Sequence, residues 1–233
     1  MQSPQTGPIA GRAPDRRALG GVLFLLFFIG GEVARALLTT RELPLPGSPA
    51  EQTVAYVEAA RTATLTVGIM QVLAALSLFL FVPAITSAVR RATEGRTAPA
   101  RITSLTGVLA AAFLLVSALL SLALTLSAGS MDLSTVDLVR ELNFRTGGVA
   151  HVVSLGLFTG TALLTTRGTG ALPRGTRVLG MVAAVPAVLA VLSIPVYMAS
   201  VLLPVGRILC MVWALAVGAA LIAGSRRAPA GER

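Results

Sequence analysis

A histidine beside a carboxylate can exchange a proton near neutral pH. This chain holds a single histidine, His151, inside the apolar stretch NFRTGGVAHVVSLG. Glu32 is the carboxylate at matching depth, and it lies three residues before Arg35, a spacing that lets the two pair on one helix face. Gln71 and Tyr197 also interrupt apolar runs, Arg207 opens another, and Asn143 and Arg145 lead into the run that contains His151. These residue types allow two chemistries. A polar cleft could hold a headgroup or move a proton, since ionisable groups inside a membrane mark functional sites by default. Alternatively His151 and Gln71 join helices by hydrogen bonds, each worth on the order of 1 kcal/mol in a membrane.

The elements that position these residues follow from composition. The chain is 55% hydrophobic and 12% charged, with a mean hydropathy of +0.81, which is the balance of an integral membrane protein. Six apolar runs, 18–38, 63–89, 102–128, 147–166, 178–203 and 208–224, are each near the roughly 20 residues a helix needs to cross a bilayer. They lack the alternation of barrel strands, so the expected fold is all-α, one polytopic six-helix bundle over 18–224 with tails at 1–17 and 225–233. With both termini placed in the cytoplasm, the inner segments carry thirteen arginines against three acids and the outer ones six against seven. That bias obeys the positive-inside rule. It also sets all eight polar candidates in or near the outer leaflet and leaves little beyond Ser and Thr in the inner halves, the pattern of a cleft opening outward.

In the first outer connection, Ser48-Pro49-Ala50-Glu51 reads as a capping box that starts a short helix near Pro49 and leads into the second span. Ser134-Thr135-Val136-Asp137 reads as a cap for a second helix, with Val136, Val139 and Leu142 at helical spacing, lying along the outer interface. The inner linkers 90–101 and 167–177 read as plain turns. Ala34-Arg35-Ala36 has the form of a signal-peptidase site, but the apolar run continues through it and two charges sit nearby, which favours a retained first span. Gly156 and Gly160 form a GxxxG on a face other than that of His151, expected to pack inside the bundle, with a homo-oligomer seam as the alternative. Ser117 and Ser121 are expected to bond back to carbonyls of their own helix. Pro83, Pro186 and Pro195 are expected to kink the second and fifth spans.

Several classes are set aside. No cofactor is expected: one His and one Cys, Cys210, cannot build a tetrahedral zinc site, and a bis-histidine haem is excluded. There is no phosphate-binding glycine loop, no GxSxG and no convincing internal repeat. The basic charge is spread over short inner segments without aromatic interleaving, so nucleic acid is not an expected partner, whereas membrane lipids are.

The opening RRALGGVLFLLFFIGGE, the stretch NFRTGGVAHVVSLGLFTGTALLTTRGTGALPRGTRVLG and six spans in a chain of this length resemble the bacterial membrane proteins grouped as domain of unknown function 4386. The resemblance implies a six-helix inner-membrane fold and carries no agreed activity, so it assigns no functional residues. The Ala-rich composition, with arginine and no lysine, is similar to that of high-GC actinobacterial proteins. Two functions are expected from the residues. The first is a protein of the bacterial inner membrane that binds a lipid or small hydrophobic molecule in an outward cleft, or serves as an envelope accessory protein. The alternative is a small membrane enzyme or transporter using Glu32 and His151 as an acid and base.

Overall fold

The computed structural model describes residues 15–44 and 47–226, so the calls on the tails 1–14 and 227–233 lie outside the described residues. The helices are α1 (Leu19–Leu38), α2 (Ala50–Ala59), α3 (Arg61–Ala92), α4 (Thr97–Ser127), α5 (Leu133–Asn143), α6 (His151–Thr165), α7 (Arg174–Leu189) and α8 (Leu202–Arg226). Six helical stretches are long and apolar enough to cross a membrane, and the protein is a polytopic six-helix bundle.

The spans close into a ring in chain order. Each packs on the next, from α1 on α3 through α4, α6 and α7 to α8, and α8 returns to α1. α6 also reaches α8 and α3 across the ring, which makes the fourth span the most buried, 67% of its most apolar stretch against 22–39% in the others. The lipid-facing residues are large and apolar, for example Leu80 on α3, Leu119 on α4 and Met181 on α7. In the centre Phe81, Phe158 and Trp213 meet edge to face at 6.0 to 6.3 Å, an arrangement that suits the charge distribution of aromatic rings.

Several boundaries differ from the sequence reading. The helix expected along the interface is instead continuous with the fourth span: α5 passes through a π-helical segment, Phe144–Ala150, into α6 without a break. That helix has 33 residues, about 50 Å at the usual rise, so its first turns stand clear of a hydrocarbon layer of roughly 30 Å. The fifth span ends at Leu189 and not at 203, giving way to the 3-10 turns Ala190–Ser193 and Tyr197–Val201. Pro195 therefore lies beyond the helix, while Pro83 and Pro186 are inside theirs.

The caps also move. Asp132, not Ser134, caps α5: its carboxylate accepts from the Thr135 backbone N–H at 2.7 Å and from the Ser134 hydroxyl at 2.6 Å. These bonds hold the Asp132 carboxyl at about 2, below the usual value, with the Ser134 bond the largest cause. No side chain caps α2. The Ser48 carbonyl instead accepts from Arg140 of α5, which ties the first long connection to the fourth span. α2 does not run straight into α3, because Ala60 leaves helical geometry between them.

Candidate functional site

At the end of the bundle where α1 finishes and α8 begins, α1, α3, α4, the π segment and α8 part around a cavity of about 520 Å³. α2 and the residues before it cover part of its rim. Along α4 the lining runs from Thr125 to Leu114, roughly 16 Å of depth at the helical rise. Phe28, Leu114, Phe144 and Leu203 supply apolar wall, while Glu32, Arg35, Arg140, Asn143 and Arg207 supply polar groups. A concave apolar site with a few convergent polar groups, within the roughly 300 to 1,000 Å³ of ordinary ligand pockets, is what a small ligand needs.

Five of the eight residues singled out from sequence meet here: Glu32, Arg35, Gln71, Asn143 and Arg207. Glu32 and Arg35 form the ion pair expected from their spacing, at 3.1 Å. Arg207 donates to the Gly147 carbonyl and lies over the Phe28 ring, 5.2 Å from its centroid. Asn143 is a junction. Ser117 donates to its side-chain oxygen, and its amide donates to Ser121 at 2.8 Å. The two serines thus bind across to the fourth span and not back to their own carbonyls. A Cβ at residue 147 would overlap the Ser117 side chain, so glycine there permits this close approach.

Of the other three, Arg145 and His151 stand apart. Arg145 pairs with Glu141 at 2.6 Å on an exposed face. Tyr197 falls in the turn before α8, outside the span expected to hold it. His151 is fully buried and does not line the cavity. Its Nδ1 donates to the Ala110 carbonyl of α4 at 2.8 Å, and its ring meets Phe24 edge to face at 6.3 Å. Nε2 is buried without a hydrogen-bond partner. Glu32 and His151 therefore do not form a hydrogen-bonded pair, and the interhelical bond is the role the geometry gives His151.

Sequence reasoning missed Thr53, Tyr56 and Val57, all of which line the rim. Their spacing on α2 puts them on one helical face, a signal open to reading once that helix is given a buried side. Arg140 also lines the cavity, and its place among Asp137, Glu141 and Arg145 does not single it out in the sequence. The GxxxG glycines pack internally as expected, since a Cβ at either position would meet α7, at Ala187 for Gly156 and Ala184 for Gly160.

No family model, curated protein or solved structure matches the chain.

Proposed function

We propose that this is a bacterial inner-membrane protein, with both termini cytoplasmic, that binds a lipid or small hydrophobic molecule in a cavity facing outward. The observation that carries the reading is the cavity itself: about 520 Å³ of space with an apolar wall and a polar rim, formed where five of the six apolar spans leave room at one end. The arginine bias supports the orientation, because the segments assigned to the cytoplasm hold thirteen of the nineteen arginines. Beneath the cavity the bundle is closed by packed side chains, Phe24 and His151 and then the aromatic trio, all fully buried. Such a floor suits a binding site better than a continuous path.

The test is native mass spectrometry of the full chain in mild detergent, beside a Gly148→Leu variant. Gly148 lines the cavity, and a Cβ there meets its neighbours only at 3.6 Å and beyond, so leucine fills the space without a backbone clash. A defined small-molecule adduct on the wild type that disappears in the variant is the expected result. An empty wild type that also takes up no added hydrophobic compound would overturn the reading.

A further inference from the structure

Resting on that reading, we infer that the ligand is an amphiphile with an anionic head, a carboxylate or a phosphate, and that Arg207 is its anchor. The inference follows from the ion pairs around the cavity. Glu32 is held by Arg35, Arg140 by Asp137 at 2.8 Å, and Glu141 by Arg145. Among the described residues every charged group that lines the cavity thus has an oppositely charged partner, with the single exception of Arg207.

Its position sharpens the point. The guanidinium donates to the Gly147 carbonyl and rests on Phe28, while Nε is buried with no partner. A carbonyl and a ring face satisfy part of a guanidinium, and Glu32, whose charge acts on it from a distance, is itself held by Arg35, so no acid meets the fork. Uncompensated charge is costly in a medium of low dielectric. An oxyanion meeting the fork of an arginine forms short, charge-assisted bonds, often two at once. The apolar lining of the same cavity, Leu203 and Phe144 included, gives a hydrocarbon chain its contact. Carboxylate and phosphate share this chemistry, so a fatty acid and a lipid phosphate are two sources of one ligand type.

The experiment uses the full chain in nanodiscs of zwitterionic phosphatidylcholine. Dodecanoate, dodecyl phosphate, 1-dodecanol and dodecylammonium are titrated separately, with binding read by displacement of a fluorescent hydrocarbon probe. At least one anion should bind about tenfold or more tighter than the alcohol, a difference large enough to read as a clear affinity step. Which anion does so identifies the source. In Arg207→Gln the anion should lose its advantage while the alcohol binds as before. Because that variant also loses the bond to Gly147, Glu32→Gln gives a second reading: with the acid gone, anion binding should tighten. Equal binding of anion and alcohol to the wild type, or preference for dodecylammonium, would overturn the anionic head and leave the cavity reading standing. Displacement by none of the four, with no change in Gly148→Leu, would sink the cavity reading as well.

Discussion

The side-chain amide of Asn143 donates to the Ser121 hydroxyl at 2.8 Å, while Ser117, one turn deeper on the same helix, donates to the amide's oxygen. One residue at the head of the π segment thus fastens the third span to the fourth beside the cavity. Asn143→Ala should lower stability by about 1 to 2 kcal/mol, the scale of two interhelical bonds in a membrane. Reversible unfolding in mixed detergent micelles reads this directly. A variant as stable as the wild type would show that the junction contributes nothing.

His151 should behave as a structural residue. His151→Ala removes the bond to Ala110 and opens space beside Phe24, at a cost of about 2 to 4 kcal/mol by analogy with other large-to-small core changes. His151→Leu should recover part of this by refilling the volume. Occupancy of the cavity ligand, measured at a temperature where all three proteins are folded, should be the same in each. Loss of the ligand in a folded His151→Leu protein would return the histidine to the binding site.

The two glycines of the fourth span should respond in opposite directions. At Gly156 a Cβ would come within 2.7 Å of Ala187 and 3.0 Å of the Val188 backbone nitrogen, so Gly156→Ala should destabilise by about 1 to 3 kcal/mol through overpacking. At Gly160 the nearest atom is Ala184 Cβ at 3.7 Å. Gly160→Ala should be neutral or stabilising by up to about 1 kcal/mol, since alanine restricts the unfolded chain more than glycine does. Thermal melting of the two variants side by side checks the contrast.

Acid should release the start of α5. The folded Asp132 carboxyl titrates at about 2 against an ordinary 3.8, so its capping contribution is complete above the ordinary value and fades as pH falls through the folded one. Hydrogen exchange at residues 135 and 136, corrected for the intrinsic pH dependence, should stay protected down to about pH 4 and rise as pH approaches 2. Asp132→Ala should show the fast exchange already at neutral pH.

The proposed orientation can be read by labelling. Cys210, the natural cysteine, is buried, so the folded wild type should not react with an impermeant maleimide. On intact cells, Thr40→Cys should label and Arg96→Cys should do so only after the membrane is opened. The reverse pattern would invert the protein and turn its cavity toward the cytoplasm.

Where hydropathy decides, the fold was legible in the sequence. The first two spans start and end close to their apolar runs because lipid contact governs those residues, whereas the helices of the third and sixth begin at Thr97 and Leu202, more than a turn before the runs read at 102 and 208. The fifth span was read too long, since residues 190–203 stay apolar while the backbone has already left the helix. The fourth was read too short, its first turns being given to a separate helix along the interface, since Asp137, Arg140, Glu141 and Arg145 look unlike part of a span when their pairing is not visible. Depth along a helix follows from counting residues, and it brought Glu32, Gln71, Asn143 and Arg207 together correctly. Rotation about a helix does not follow from counting. His151 lies near the cavity in depth yet faces Ala110 and Phe24.

The ring of spans in chain order bears on how the protein is made. Every span after the first can dock on the one emitted just before it, so assembly can keep pace with synthesis and few long-range contacts must wait. The seam is the exception. Gly20 and Gly21 sit where α1 touches α3 and α8, and a Cβ on Gly21 would overlap the Ala214 carbonyl. Until α8 leaves the translocon, this glycine edge of α1 stays open to lipid, and a chain ending before residue 202 would carry it permanently as a five-helix crescent. Such a product would differ from the whole ring by an unclosed first helix, its close-packing glycine edge left against lipid.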